Sequence, residues 1–167
     1  GSIHKSSHLF QFQAHAAPAL LITGEPGIGK SFISEQALID SGYRQCSELE
    51  LISEGHNPSE LRYIIITPFD NFNKLIPIAA EKGVAILFDE INTIDPSQLS
   101  PLIRILEKKC FSQGFMVIAT CNPPTGHVGR RQLPQELQAL FIEDVQFDIQ
   151  EGEIDKWIEI AAEDSEE

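Results

Sequence analysis

The sequence predicts an α/β fold in which helices cover both faces of a parallel sheet. Three short apolar runs, each long enough for one strand, lie far apart along the chain: ALLIT at residues 19–23, VAILF at 84–88 and FMVIA at 115–119. Between them, apolar side chains recur every three or four residues, which is the spacing of one helix face. Continuously apolar strands are buried on both faces, and their alternation with helices is typical of parallel sheets.

The first half of the chain follows this alternation. A helix is expected over residues 31–40, because its apolar positions have helical spacing and Gly42 follows as a stop signal. Acids and leucines then alternate over 48–51, and residues 63–66 are rich in residues that favour strands. We therefore expect one or two strands in this region, around a turn at Asn57-Pro58.

The second half continues the pattern. Apolar residues repeat at three and four in residues 96–109, and Asp95 and Ser97 are both candidates for the N-cap of this helix. We expect helices over 71–82, 96–109 and 135–141, and a last strand over 145–149.

Length and composition limit the class of protein. The chain has 167 residues, with 12 basic and 25 acidic side chains and a formal net charge of −13. This length suits one domain, and 42% apolar residues exclude a disordered chain. The negative charge disfavours nucleic acid as a partner, since such binding needs a dense basic surface. No apolar run reaches the ~18 residues of a membrane span, and three scattered cysteines suit reduced thiols. We expect an intracellular, soluble protein of the cytoplasm or nucleus.

A glycine-rich loop joins the first predicted strand to the first predicted helix. Residues 24–31 read GEPGIGKS and fit the pattern G-x-x-x-x-G-K-[ST] in the context that it requires. Glycines let backbone N–H groups surround phosphate oxygens, and the helix start adds partial positive charge. We expect Lys30 to reach the β- and γ-phosphates and the Ser31 hydroxyl to bind Mg²⁺. The residues predicted to bind the nucleotide are Gly24, Glu25, Pro26, Gly27, Ile28, Gly29, Lys30, Ser31 and Phe32.

An acid pair, Asp89-Glu90, directly follows the apolar run at 84–88. Ligands bind at the carboxyl ends of parallel strands, so the pair is expected beside Lys30. Asp89 would then join Ser31 in holding the magnesium ion, and Glu90 would act as general base on the attacking water. The alternative is two exposed acids that cap the next element.

Asn122 is the third polar candidate, three residues past the run at 115–119. Its amide has the donors and acceptors to hold both the attacking water and the γ-phosphate, and the alternative is an Asx turn before Pro123-Pro124. With Glu90 and Lys30 it completes the predicted catalytic set. No N-K-x-D motif is present, which argues against a small GTPase.

These three motifs in this order resemble the AAA+ ATPases, a group of P-loop NTPases. The second part of the chain looks most like the midasin, dynein and MoxR branch, through VAILFDEIN at 84–92, VIATCNPP at 117–124 and GRRQLP at 129–134. The resemblance covers about residues 18–157. It implies a three-layer sandwich with a five-stranded parallel sheet in the order 5-1-4-3-2, and ATP at a subunit edge.

By position, the resemblance makes residues 24–31 the Walker A motif, Asp89 and Glu90 the Walker B motif, and Asn122 sensor 1. It implies a module that binds ATP and hydrolyses it with Mg²⁺ within a larger protein-remodelling machine. The partners would be a protein substrate and neighbouring AAA+ subunits or modules, with a ring oligomer in the full-length context.

The alternative is a nucleotide-binding switch or scaffold that hydrolyses poorly because it lacks its own arginine finger. In this branch the corresponding helix usually carries arginines, but the positions here are Gln138 and Leu140. Arg130 or Arg131 could substitute, but we favour exposed surface-loop positions for both. We expect the isolated chain to be a weak ATPase.

The sequence and the resemblance together divide the chain into three parts. Residues 1–17 are expected to be a tag remnant and lead-in segment, and 18–150 the nucleotide-binding core. Residues 151–167 hold eight acidic side chains and one basic side chain, and are expected to be the acidic start of a lid or linker. The small helical lid itself is expected to be missing.

Overall fold

A parallel sheet forms the centre of the computed structural model, which describes residues 18–23, 30–53, 60–121, 133, 135–146 and 158–159. Its strands are β1 (Ala19–Thr23), β2 (Arg44–Gln45), β3 (Arg62–Ile66), β4 (Ala85–Phe88), β5 (Val117–Cys121) and β6 (Ile142–Gln146). They are ordered β2-β3-β4-β5-β1-β6, and every neighbouring pair is parallel. The predicted α/β class is confirmed.

The strand order also agrees with the prediction. Counted among themselves, the five longer strands run 5-1-4-3-2 across the sheet. The two-residue strand β2 adds a short sixth strand at one edge, where Arg44 lies opposite Arg62 and Gln45 opposite Tyr63. The five-stranded prediction lacked this edge strand, because two residues are too few for a recognisable pattern.

Helices occupy the connections between the strands. They are α1 (Lys30–Asp40), α2 (Glu48–Ile52), α3 (Phe72–Lys82), α4 (Ser100–Lys108) and α5 (Gln135–Gln138). Two 3₁₀ turns, Ile91–Thr93 and Pro96–Leu99, precede α4. The Asp95 side chain accepts the Ser97 N–H, so the predicted cap at this point is Asp95.

Several predicted bounds were wrong by a few residues. The segment predicted as one helix over 96–109 begins as a 3₁₀ turn, the helix over 135–141 ends at Gln138, and the last strand begins at Ile142. The last strand starts early because it pairs along β1, with Ile142 opposite Leu20. Pairing with β1 sets the start of β6, and the periodicity of a sequence carries no information about which strand it will pair with.

The segment over 48–51 is helical, so the one or two strands expected in this region include β3 but no strand at 48–51. The Ser47 hydroxyl accepts the Glu50 N–H at 3.2 Å and so caps α2, and acids in the first turn suit the positive helix start. Leu51 is buried whereas Leu49 is 82% exposed. The alternation of acids and leucines in the sequence therefore belongs to one short helix, in which one leucine is buried and the other is exposed. The predicted turn at Asn57-Pro58 lies outside the described residues.

In the described part of the chain, the core consists of two apolar clusters, one on each face of the sheet. Successive residues of a strand point to opposite faces of the sheet. Leu20 and Ile22 of β1 therefore belong to one cluster, and Ala19 and Leu21 belong to the other. Helix α1 packs on the first face, and α3 and α4 pack on the second. This arrangement is the predicted three-layer sandwich. Each layer buries continuous apolar surface, which is the main favourable term in folding.

The predicted limits of the three chain segments stay predictions. Residues 1–17 lie outside the described residues, and so does most of the stretch after 146. Ile158 is described, and it is buried in the cluster that α1 covers. The absence of a lid is likewise a prediction only. Over the described part of the chain, no helix has the length and apolar character to span a membrane.

Candidate functional site

Three polar side chains meet at the carboxyl edge of the sheet. Asp89 follows β4 directly, Thr120 lies near the end of β5, and Ser31 is the second residue of α1, which follows β1. Because all the strands are parallel, their carboxyl ends lie at the same edge. Residues remote in sequence therefore become neighbours there.

Ser31 and Asp89 are joined by a short hydrogen bond. The Ser31 hydroxyl donates to Asp89 Oδ1 at 2.7 Å, and the two residues are 58 positions apart in sequence. Both side chains are half-buried. The backbone fixes Asp89 as well, since its N–H donates to the Ile66 carbonyl at 3.2 Å and extends the β3–β4 pairing past the strand end. A bond from a hydroxyl to a carboxylate is charge-assisted and stronger than a neutral one.

Glu90 has an unusual backbone conformation. Its φ and ψ of 54° and 59° lie in the left-handed region, which costs a residue other than glycine on the order of 1–3 kcal/mol. Hydrogen bonds hold the residue on both sides. Its N–H donates to Thr120 Oγ1 at 3.0 Å, and its carbonyl accepts from Thr93 Oγ1 at 2.8 Å and from the Thr93 N–H at 3.0 Å. The chain thus turns sharply at the second acid of the pair.

Thr120 is the site residue that sequence reasoning missed. It is 1% exposed, and its Oγ1 lies 3.3 Å from Asp89 Oδ1. The available signal was a hydroxyl residue near the carboxyl end of an apolar run, close to the predicted Asn122. This signal is weak in a sequence, because threonine is also common in strands for its branched shape alone.

Helix α1, which carries Lys30 and Ser31, is bonded to the sheet by a tyrosine. The Tyr63 hydroxyl of β3 donates to Glu35 Oε1 at 2.7 Å, and burial together with this bond raises the pKa of Tyr63. Tyr43, just past the helix, donates to the Gly114 carbonyl at 3.3 Å, and burial raises its pKa to about 12.

The structure describes some of the remaining predicted site residues and not others. Phe32 is 68% exposed on α1. The backbone of Lys30 begins α1, but its side chain lies outside the described part of the chain. Residues 24–29, Asn122, Arg130 and Arg131 also lie outside it. Their roles stay predictions.

The donor set suits a magnesium ion. A serine hydroxyl and an aspartate carboxylate offer the hard oxygen ligands that Mg²⁺ prefers. Among the described residues no group of three or more His, Cys, Asp or Glu could hold a metal. Mg²⁺ does not need such a group, because it commonly binds through one or two protein oxygens together with phosphates and water.

The family assignment agrees with this geometry. A family model described as "AAA domain (dynein-related subfamily)" matches residues 19–141, well over half of the chain. The chain belongs to this family. The match to the AAA domain begins at β1 and ends just before β6, so it includes Ser31, Asp89, Glu90 and Thr120. It confirms the predicted resemblance to AAA+ proteins at the level of the dynein-related subfamily.

Membership gives the AAA domain a general activity class. AAA domains are ATP-binding modules and typically ATPases, so nucleotide binding is the coarse function that the family implies. No curated protein matches the chain.

Proposed function

We propose that this AAA domain binds ATP with Mg²⁺ and hydrolyses it, as one module of a larger protein-remodelling machine. The observation that carries the proposal is the 2.7 Å hydrogen bond between Ser31 Oγ and Asp89 Oδ1. It brings the last residue of the glycine-rich motif to the first residue of the acid pair. Two exposed acids that only cap the next element would not account for this contact.

Each residue has one role in the proposal. Backbone N–H groups of residues 24–29 and the Lys30 ammonium bind the phosphates, and Ser31 and Asp89 hold the metal. When bound, Mg²⁺ supplies positive charge that offsets the charge of the phosphates. Glu90 accepts a proton from the attacking water, and Asn122 orients that water.

The phosphate-binding role is tested by removing the Lys30 ammonium. Lys30→Ala is expected to abolish measurable MgATP binding in calorimetry, because the β- and γ-phosphates lose their main cation. Lys74→Ala, at an exposed position of α3, removes the same charge away from the site and should leave binding unchanged. Equal MgATP affinity in wild type and Lys30→Ala would contradict the proposal.

One observation favours a second candidate, a nucleotide-binding switch that hydrolyses slowly by itself. Leu140, at one of the two positions where the branch usually carries arginine, packs against the core cluster on the α3 and α4 side. Gln138, at the other, ends α5 and is half-buried. Neither side chain carries a positive charge, so an arginine for the γ-phosphate of a neighbour would have to come from elsewhere. Both candidates share the same nucleotide site and differ in the rate of hydrolysis.

A further inference from the structure

A buried hydroxyl connects the two acids at the carboxyl edge of the sheet. Thr120 Oγ1 accepts the Glu90 N–H at 3.0 Å. The same oxygen lies 3.3 Å from Asp89 Oδ1 and 3.4 Å from the Phe88 carbonyl oxygen, the two acceptors within reach of its one proton. A single side chain thus contacts the backbone of one acid and the carboxylate of the other.

The conformation of Glu90 makes these contacts consequential. A left-handed backbone at a residue other than glycine persists only where its surroundings hold it. Thr120 holds the N–H of Glu90, and Thr93 holds its carbonyl. Thr93 lies three residues away on the same turn, whereas Thr120 lies on the neighbouring strand β5. Thr120 therefore ties the turn to the sheet.

We propose that Thr120 is a positioning residue that keeps Asp89 and Glu90 in one fixed relation to each other. The proposal rests on the proposed function, in which Asp89 holds the metal and Glu90 accepts the proton. Valine has nearly the shape of threonine, so Thr120→Val keeps the packing of β5. It removes the acceptor of the Glu90 N–H and one of the two hydroxyls that contact Asp89 Oδ1.

The first readout needs no ligand. Backbone amide exchange of the free protein, followed by NMR, is expected to speed up about tenfold at Glu90 in Thr120→Val, the factor that matches one typical hydrogen bond. The amide of Ile86 within β4 should keep its wild-type rate. Thr120→Ser retains the hydroxyl and should restore slow exchange at Glu90. Thr67→Val is the matched control, because the Thr67 hydroxyl contacts Asp70 in the turn after β3 instead of the acid pair.

The second readout is nucleotide binding and turnover. Thr120→Val is expected to weaken ATP affinity in the presence of Mg²⁺ about tenfold and to leave affinity in EDTA unchanged, because it displaces a metal-holding carboxylate. The single-turnover rate of Thr120→Val, measured with protein in excess, should also fall, and by more than weaker ATP binding alone would cause. Thr120→Ser should recover both quantities.

The outcomes separate the two proposals. An unchanged Glu90 amide in Thr120→Val would overturn the positioning role, and so would acceleration shared equally by Ile86, which marks general loosening. Failure of Thr120→Ser to recover wild-type values would overturn it as well. If the wild type binds no MgATP, the proposed function fails, and the Glu90 amide still decides whether Thr120 holds the pair.

Discussion

Asp89 Oδ1 is the atom at which three elements meet. It accepts a hydrogen bond from Ser31 at the start of α1 and lies within bonding distance of Thr120 on β5, while its own residue follows β4. These two hydroxyls beside one carboxylate oxygen limit the rotation of the side chain. The two metal-binding oxygens of the proposal are thus already neighbours in the folded protein, which lowers the cost of ordering them when a ligand binds.

At the same scale, Glu90→Gln separates binding from chemistry. Glutamine has nearly the same shape and leaves the backbone bonds to Thr120 and Thr93 in place, but it cannot act as a base. We expect MgATP affinity close to that of wild type and a single-turnover hydrolysis rate lower by about 10²–10⁴-fold. Calorimetry and rapid-quench measurement with protein in excess give the two quantities.

A matched control accompanies this variant. Glu107→Gln makes the same change at an exposed position of α4, and neither affinity nor turnover should respond. Turnover that survives in Glu90→Gln would mean that a different residue takes the proton from water.

Among the elements, α1 positions Ser31, which the proposal assigns to the metal. Its buried face includes Ala37 and Leu38, which pack on the same side of the sheet as Leu20 and Ile22. The helix is only weakly amphipathic by sequence, and its phenylalanine at position 32 is exposed. The Tyr63 bond to α1 and the Tyr43 bond just past its end add directional contacts.

From the raised pKa values of these two tyrosines we predict that the free energy of unfolding falls at high pH. Folding raises the pKa of Tyr43 to about 12 and that of Tyr63 in the same direction, from an ordinary value near 10. The folded state therefore holds the phenolic protons more tightly. The contribution of Tyr43 is complete below about pH 10 and is lost as pH rises through about 12, and that of Tyr63 is likewise lost above its ordinary pKa. Urea unfolding between pH 8 and 11 should show a falling free energy of unfolding.

Tyr43→Phe gives the control for this prediction. The variant should lose about 1 kcal/mol of stability at pH 8, for the bond to the Gly114 carbonyl, and should depend less on pH above 10. The chain contains two tyrosines, so ultraviolet absorbance in this variant reports Tyr63 alone. Ionisation of either phenol near pH 10 in the folded protein would show that the shift is absent.

At the scale of the whole molecule, the proposed site depends on whether a neighbouring molecule supplies an arginine to the γ-phosphate. An arginine supplied to the γ-phosphate by a neighbour is worth roughly 10³–10⁵ in turnover in related NTPases. Gln138 and Leu140 cannot supply this charge. If no other arginine of the chain does so, a second copy cannot complete the site.

We therefore expect a low ATPase rate per molecule that does not change with protein concentration. Steady-state phosphate release over a wide concentration range measures it. A rate that rises steeply with concentration would mean that the chain carries its own arginine finger. Arg130→Ala and Arg131→Ala would then show which of the two residues supplies it.

Much of the architecture could be predicted from sequence because it depends on local pattern. The apolar runs marked β1, β4 and β5, and helical spacing marked α1 and α3. The order of strands came from a resemblance, and pairing confirmed it. The short elements were not predictable, since β2 exists only through its pairing with β3, and α2 through a cap and one buried leucine.

The functional site divides in the same way. The sequence alone predicted Ser31, Asp89 and Glu90 as site residues, because the motifs that carry them are local and chemically distinctive. Their proximity, the left-handed turn at Glu90 and the contacts of Thr120 arose only when parallel strands brought their carboxyl ends to one edge. The physical reason is that spacing along a chain encodes periodicity and chemistry, whereas a hydrogen bond between residues 31 and 89 depends on how the layers pack.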